Sequence, residues 1–153
     1  MNRLTFAIGV FTVLAMTSCG DDSEKSYTPF FKIANTIYAT DYTTCKALGA
    51  DYSIVGYRKS TAITDSGCEL TFFEQSTEPP AGEYTVQGLS NNPVNGFVDV
   101  VVRGGDISTT YLAIEGKVTI ELSNGKPEVV FSNVSFRSAN GTTVIGSGRF
   151  KCQ

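Results

Sequence analysis

The 153-residue sequence contains no histidine and no tryptophan. Without histidine, the Ser-His-Asp arrangement of many hydrolases is excluded. The four cysteines form no CxxC pair, so they lack the ligand spacing that is typical of a zinc site. The missing tryptophan weakens the case for a carbohydrate-binding surface, since large aromatic rings supply rigid contact area. We therefore predict a non-enzymatic domain that holds no metal and no cofactor.

Charge is also scarce, because only 18% of the residues are charged and no tract of lysine or arginine is present. Without residues 1–18, eleven basic side chains stand against 15 acidic ones, a net charge of −4. A weakly acidic domain lacks the positive surface with which proteins bind nucleic acid. After residue 18, no apolar run approaches the ~20 residues that span a bilayer. We expect neither nucleic-acid binding nor a membrane-spanning segment in this part of the chain.

The first 26 residues are organised differently from the rest. Arg3 provides a short positive start, Leu4 to Met16 is apolar with small polar interruptions, and the segment ends in Met16-Thr17-Ser18-Cys19. This length is typical of the apolar region of a signal peptide and is too short for a stable span. An acidic stretch without periodicity follows at 20–26, and we expect it to be a solvated tether.

Residues 16–19 resemble the lipobox of bacterial lipoproteins, in which a cysteine after small residues becomes the lipidated first residue of the mature protein. Met16 replaces the usual Leu, Val or Ile with an apolar residue of similar volume. The resemblance implies a signal peptide at 1–18, lipidation of Cys19, a tether at 19–26 and a β-domain at 27–153.

The acidic residues behind Cys19 also resemble the surface-export signal of lipoproteins in the Bacteroidota. As a whole, the chain resembles the small β-rich envelope lipoproteins of unknown function in that group. The resemblance implies a protein anchored by lipid in the outer membrane. It leaves open whether the domain faces the periplasm or the cell surface, and it transfers no site residue other than Cys19.

Residues 27–153 are rich in β-branched and aromatic residues, which suit a pleated, half-buried surface. Turn signals recur about every ten residues, and we predict an all-β domain of about eight or nine short strands, an antiparallel sandwich or a small barrel. The first strand is expected within 27–39. One helical turn is expected, because Asp41 is a suitable N-cap for a turn through Cys45 and Leu48 that ends at Gly49.

The most specific element is a hairpin at residues 117–136. Its turn, Asn124-Gly125, is the dipeptide that a type I′ turn prefers, because both central residues have positive φ. This turn places Ile120 opposite Val129. The apolar alternation then changes parity, which predicts a β-bulge near Ser132-Asn133.

A second Asn-Gly pair, Asn140-Gly141, predicts the last hairpin. A two-residue turn at this pair places Phe136 opposite Ile145. The apolar pattern of the final strand changes parity once more, and Gly146 or Gly148 can absorb that change as a bulge.

With Cys19 assigned to lipid, three cysteines remain in an oxidising compartment, so one disulfide and one free thiol are expected. Cys68 lies on the apolar face of its strand and can be a buried, inert thiol. The hairpin that follows Cys45 places Cys68 near its turn and far from Cys45, which argues against a bond between these two. We prefer a Cys45–Cys152 disulfide and keep Cys68–Cys152 as the alternative.

Two sets of polar side chains are candidates for a functional site. Glu121 and Glu128 are expected directly opposite each other, where paired carboxylates can hold a cation or act in hydrolysis. We interpret them as surface charge, because a tight hairpin offers no cleft. Five tyrosines in the first third of the chain can form a contact surface for a glycan or a protein, although packing in the core is the interpretation we favour. These tyrosines are Tyr27, Tyr38, Tyr42, Tyr52 and Tyr57.

Three functions are compatible with these observations. The leading one is a lipid-anchored, non-enzymatic envelope lipoprotein whose β-domain binds a protein, a glycan or another envelope component. The second is a small barrel that carries an apolar ligand, as lipocalins do, and it requires a cavity that the inward side chains leave empty. The third is a two-carboxylate hydrolase, which requires two acids facing one cleft at ~5–9.5 Å.

Overall fold

The computed structural model describes residues 27–88 and 94–153, and eleven strands lie within them. The predicted all-β class is confirmed, with more strands than the eight or nine expected. Cys19 and the rest of the predicted leader and tether lie outside the described residues. The strands are β1 Phe30–Ile33, β2 Thr36–Ala39, β3 Tyr42–Leu48, β4 Asp51–Arg58, β5 Ser66–Phe72, β6 Gly82–Val86, β7 Phe97–Arg103, β8 Tyr111–Glu115, β9 Lys117–Ser123, β10 Lys126–Ser138 and β11 Thr143–Lys151.

All eleven strands belong to one sheet, and its path of pairings begins at β2 and ends at β3, which only two residues separate in the chain. Antiparallel pairs join β1 to β2, β3 to β4, β4 to β5, β5 to β7 and β7 to β8. Further antiparallel pairs join β8 and β9 to β10, β10 to β11, and β11 back to β1. Strand β6 lies between β7 and β9, parallel to the first and antiparallel to the second. The domain is therefore barrel-like rather than a sandwich of two separate sheets.

Two bends complete the barrel. Each divides a continuous stretch of chain into two strands, β2 and β3 at one bend and β8 and β9 at the other, which raises the number of strands. At the junction of β2 and β3, the amide of Thr40 donates to the carbonyl of Pro29 at 2.8 Å, and the amide of Asp41 donates to the carbonyl of Tyr57 at 2.7 Å. The chain thus passes from β2, which pairs with β1, to β3, which pairs with β4, and remains in the wall of the barrel. Gly116, with φ of 132°, makes the second bend between β8 and β9.

Residues 42–48 form strand β3, so the predicted helical turn is wrong. β3 pairs with β4 along its whole length, and Cys45 lies opposite Ile54. The β-branched residues Thr43 and Thr44 lose side-chain freedom in a helix, and pairing with β4 supplies the backbone hydrogen bonds that a helix would have supplied. The expected first strand is also divided, because Ala34 adopts φ of 52° and turns β1 back into β2.

The hairpin formed by β9 and β10 confirms the prediction from its turn residues. Asn124 and Gly125 both have positive φ, at 53° and 76°. Ile120 lies opposite Val129, as expected. The register of β10 against β11 shifts between Phe131 and Val134, and the residue inside this bulge, Asn133, has φ of 55°.

The predicted register of the last hairpin is wrong by one residue. Phe136 lies opposite Val144, and Ser135 lies opposite Ile145, whose side chain is consequently exposed. Four residues, 139–142, connect the two strands, and Gly141 has positive φ at 87° whereas Asn140 does not. The connection is therefore longer than the two-residue type I′ turn on which the prediction rested.

The final strand contains no second change of parity, because Gly146 and Gly148 are inward-facing positions between Val144 and Phe150. A side chain at Gly146 would place its Cβ 2.6 Å from Cε2 of Phe136. A side chain at Gly148 would lie 2.6 Å from Cε1 of Phe131. These glycines leave room for the aromatic rings of the neighbouring strand.

Aromatic and aliphatic side chains fill the interior of the barrel. Burial of each of these large side chains stabilises the fold by about 1.5–3 kcal/mol before the loss of chain entropy is counted. The largest fully buried side chains are Phe31, Phe72, Phe136, Phe150, Ile54, Leu70 and Ile120.

The barrel has two different ends. We call the end formed by the connections at 34–35, 59–65, 104–110 and 139–142 the mouth, and the end formed by 49–50, 73–81 and 124–125 the base. β1 runs toward the mouth and β11 runs toward the base. The described chain therefore begins near the base, where Tyr27 contacts Arg149 of β11.

Candidate functional site

The structure does not bring the five tyrosines together into one surface. Tyr38 and Tyr52 are buried in the interior, as the core interpretation predicts. Tyr42 and Tyr57 stack on the outer face of β3 and β4, with ring centroids 4.8 Å apart. Tyr27 lies on the outside of the barrel near the base, with the Arg149 guanidinium 4.4 Å from its ring centroid.

A cleft of about 450 Å³ opens at the mouth and is the best candidate for a ligand site. Its apolar residues include Ile33 and Ile107, both buried. The lining also includes two tyrosine rings and two oppositely charged side chains. These four residues are Tyr38, Tyr111, Arg58 and Asp106. The surface that these residues expose to the cleft is mostly polar. The mouths of barrels are frequent locations of small-molecule sites.

Arg58 is the most distinctive residue of this cleft. It ends β4 at the same parity as Ile54, so its side chain belongs to the inner face of the sheet. Its guanidinium carbon lies 5.6 Å from the ring centroid of Tyr38, a cation–π distance. Within residues 27–88 and 94–153, no carboxylate forms an ion pair with Arg58, and its side chain donates no hydrogen bond.

Two loops build the rim of the mouth and hold each other in place. The hydroxyl of Ser60 donates to Oδ1 of Asp106 at 2.9 Å. The amide of Asp106 donates to Oγ of Ser66 at 3.0 Å, and the amide of Gly105 donates to Oγ1 of Thr64 at 3.3 Å. A Cβ at Gly105 would lie 2.5 Å from Oγ of Ser66, so only glycine permits this close approach. The position of Asp106 at the cleft is therefore set by the loop opposite.

The loop at 59–65 is also tied to the outer face of the barrel. Tyr42 donates its hydroxyl hydrogen to Oδ2 of Asp65 at 2.7 Å. This hydrogen bond, together with burial, raises the pKa of Tyr42 to about 12. The same bond and the amide of Ser60 lower the pKa of Asp65 below its ordinary value. Asp65 is thus ionised and Tyr42 protonated at neutral pH, which is the pairing that holds the loop.

The described lining of the cleft contains a tyrosine with a raised pKa and one acidic side chain. Burial raises the pKa of Tyr38 above its ordinary value, and the nearby Tyr111 and Asp106 add to that effect. Its phenol is therefore neutral at physiological pH. Asp106 is the single carboxylate among the described lining residues, so the cleft does not supply the pair of acids that a glycosidase of the expected type needs.

Sequence reasoning did not identify Arg58, Asp106 or Tyr111 as site residues. A signal for Arg58 was present, since it continues the inward parity of Tyr52 and Ile54 and is a charged residue at an apolar position. No local signal identifies Asp106, because it lies far from β4 in the sequence and only folding brings it against the loop at 59–65.

The carboxylate pair of the hairpin is in register but does not form a solvated site. Glu121 and Glu128 lie directly opposite each other, as predicted. Glu128 is nevertheless buried, because Nε of Arg149 donates to its Oε1 at 2.5 Å and Tyr27 lies beside them. The interpretation of Glu128 as exposed surface charge is wrong. A tyrosine from outside the hairpin covers it, which the hairpin sequence alone cannot show.

Burial and ion pairing have opposing effects on the pKa of Glu128. Burial by itself raises its pKa, but the hydrogen bond from Arg149 and the contact with Tyr27 outweigh burial, and the pKa of Glu128 is lower than usual. The pKa of Tyr27 is raised to about 12, first by burial and then by Glu128. Glu128 is thus an ionised partner of Arg149, which leaves its carboxylate unsuited to hold a cation.

The preferred disulfide is confirmed, because Cys45 and Cys152 are bonded, with their Cα atoms 5.9 Å apart. Cys68 is a free, fully buried thiol. Burial raises its pKa, so the reactive thiolate is not populated at neutral pH. The bond ties the end of the chain to β3.

The part of the chain that the structure describes contains no group of three or more His, Cys, Asp or Glu side chains arranged to hold a metal ion. Within the same residues, no helix is long and apolar enough to cross a membrane. Comparisons of this chain with protein-family models, with curated proteins and with solved structures found no match.

Proposed function

We propose that the protein is a lipid-anchored envelope lipoprotein whose non-enzymatic β-domain binds a component of the envelope in the cleft at the mouth. The observation that carries this proposal is Arg58, which faces a cleft of about 450 Å³ without a carboxylate partner among the described residues. The lipid on Cys19 is inferred from the lipobox resemblance. The partner is a protein segment, a glycan or another envelope component small enough to enter the mouth.

The position of Tyr27 supports attachment at the base of the barrel and binding at its mouth. Tyr27 contacts Arg149 on the outside of the barrel, near the base. The tether at 19–26 joins the domain there, and its eight residues reach at most ~27 Å. With a lipid on Cys19, the tether meets the domain near the base, and the mouth is at the opposite end, where a ligand has access.

The filled interior favours binding at the mouth over storage of an apolar ligand inside the barrel. Phe31, Phe72, Phe136 and Phe150 are completely buried within it. An apolar ligand carried as in lipocalins would have to displace such rings, and the surrounding core would lose their packing. This second function is supported if an acyl chain binds and changes the environment of these rings.

Anchoring is tested by metabolic labelling with radioactive palmitate in a bacterial host. The wild-type protein should be labelled and a Cys19→Ala variant should not. A Cys68→Ala variant serves as the control, since it also removes one thiol but leaves the lipobox intact. Labelling that persists in Cys19→Ala would overturn the lipid anchor.

Binding at the mouth is tested by calorimetric titration of the purified mature protein with fractionated envelope glycans, peptides and lipids. A Thr36→Trp substitution places a large ring at the edge of the cleft and should abolish the binding seen with wild type. Ile37→Trp is the matched control, because Ile37 is the next residue of β2 and its exposed side chain faces outward. Binding that survives Thr36→Trp and disappears in Ile37→Trp would place the ligand on the outer wall and contradict the proposal.

A further inference from the structure

We propose that the ligand of the mouth carries a carboxylate group and that Arg58 binds this group through its guanidinium. This inference rests on the proposed function and adds the chemical class of the ligand. Arg58 is the donor, the ring of Tyr38 lies beside it, and Tyr111 and Asp106 belong to the same lining.

The first argument comes from how arginines are used elsewhere in this domain. Arg103 pairs with Glu69 at 2.8 Å, and Arg149 pairs with Glu128 at 2.5 Å. Both lie on the outer face of the barrel. Arg58 faces inward into a concave site, and no described carboxylate is within ion-pair distance of it. A planar set of five N–H donors in that position matches the two oxygens of a carboxylate.

The second argument is that the one acid in the described lining, Asp106, accepts a hydrogen bond from Ser60 and forms no ion pair with Arg58. Oδ1 of Asp106 accepts a hydrogen bond from Ser60, and its backbone is fixed to Ser66 of β5. These contacts belong to the rim and do not require Arg58. The cleft therefore contains a cationic and an anionic group that are not paired with each other, so that a bound molecule can present a carboxylate to the first and a hydroxyl donor to the second.

The third argument concerns the apolar part of the site. The guanidinium carbon lies 5.6 Å from the ring centroid of Tyr38, and this cation–π contact favours the position of the group at the cleft. Ile33, Ile107 and Tyr111 contribute apolar atoms to the same lining, and the remainder of its exposed surface is mostly polar. Such a lining accommodates the carbon skeleton of the ligand behind its carboxylate. Both an acidic sugar and a fatty acid have this combination, so the shared chemistry is an organic carboxylate.

Calorimetric titration of the purified mature protein with two pairs of probes tests this inference. The pairs are digalacturonate with its methyl ester, and dodecanoate with its methyl ester. The two members of each pair have the same carbon skeleton, and the ester lacks the negative charge of the acid. We expect one of the acids to bind at least about tenfold more tightly than its ester, since a charge-assisted, two-point hydrogen bond distinguishes them.

Substitutions of Arg58 assign the difference to this side chain. Arg58→Gln should reduce the affinity for the acid to that for the ester, and Arg58→Lys should recover only part of it, because lysine keeps the charge and loses the planar fork. Arg137→Gln is the matched control, since Arg137 is exposed near the same end on the outer wall of β10. It makes the same change in net charge and should leave the affinity unchanged. Near-ultraviolet circular dichroism establishes that each variant is folded.

The outcomes distinguish failure of this inference from failure of the proposed function. One outcome is that acid and ester bind equally, that Arg58→Gln has no effect and that Thr36→Trp abolishes binding. This outcome overturns the inference that the ligand carries a carboxylate and leaves the mouth as the binding site. Binding of none of the four probes overturns the carboxylate inference, while the titrations with envelope fractions decide the proposed function separately. Binding of digalacturonate alone assigns a saccharide body, and binding of dodecanoate alone assigns an acyl chain.

Discussion

The ring of Phe150 on β11 lies against Gly56 on β4, across the interior of the barrel. A Cβ at position 56 would be 3.0 Å from both Cγ and Cδ2 of Phe150, whose side chain is completely buried. The two strands are not neighbours in the sheet. This contact, together with the nearby Cys45–Cys152 disulfide, joins the last strand to the first part of the sheet and helps to close the barrel.

Gly56→Ala should therefore destabilise the domain by about 1–3 kcal/mol, the usual cost of forcing an extra carbon into a packed core. Gly56 does not adopt positive φ, so the expected effect comes from the contact and not from backbone strain. Urea unfolding measures the free energy difference. The same substitution in a Phe150→Leu background should cost clearly less, since the smaller side chain can move aside. An equal cost in both backgrounds would show that the two residues are not coupled.

Removal of the disulfide should lower the free energy of unfolding by about 2–5 kcal/mol, because the bond constrains a long loop in the unfolded chain. A Cys45→Ala, Cys152→Ala double variant and wild-type protein treated with a reductant should show the same loss. Cys68→Ala should still lose stability on reduction, since its disulfide is intact. Peptide mapping without reductant should recover Cys45 joined to Cys152, and recovery of a peptide containing Cys68 would contradict the structure.

Stability should fall as the pH is lowered into the acid range, and Glu128 should account for part of that fall. The pKa of Glu128 is lower in the folded than in the unfolded chain, so its stabilising contribution is complete above the unfolded pKa of about 4.3 and is lost as the pH falls through the folded value. Glu128→Gln should cost about 1–3 kcal/mol at pH 7 and flatten this acid dependence, because Arg149 loses the closer of its two ionised partners and keeps only Glu121 at 3.4 Å.

Unfolding of the wild type and Glu128→Gln in urea between pH 7 and pH 3 measures this effect. Glu83→Gln is the control, since Glu83 forms an exposed pair with Lys117 and such pairs contribute little. An acid dependence that is the same in Glu128→Gln and wild type would contradict the assignment.

The bulge in β10 should tolerate glycine and reject a β-branched residue at position 133. Asn133 adopts φ of 55°, a conformation that asparagine and glycine enter readily and valine does not. Asn133→Val should destabilise the domain by about 1–2 kcal/mol, whereas Asn133→Gly should remain close to wild type. Urea unfolding provides the comparison, and equal stability of the two variants would indicate that the bulge is not a fixed feature in solution.

Several features were predictable because they depend on residues close together in the chain. Asn124-Gly125 specifies its turn through the backbone angles of two residues, and the alternation around Ile120 and Val129 then determines the register. The bulge at Asn133 was visible for the same reason, as a change of parity in an otherwise regular strand.

The Cys45–Cys152 disulfide was predicted correctly, but the argument that separated Cys45 from Cys68 was wrong. Cys45 does not lie at the far end of the hairpin, because β3 folds back along β4 and places Cys45 opposite Ile54. Cys68 lies opposite Gly56 on the other side of β4. The two cysteines are thus separated by an intervening strand, a distance of about 9–10 Å, which exceeds the reach of a disulfide.

By itself, the sequence determined the all-β class, the β9–β10 hairpin and the bulge. These depend on turn chemistry and on a period of two residues, both of which act over a few positions. Only the tertiary structure decided that residues 42–48 are a strand, that Glu128 is buried beneath Tyr27, and that Arg58 and Asp106 share one cleft. The physical reason is that closure of the barrel brings together segments that are distant in the chain, and their side chains acquire burial, partners and a common site from that closure alone.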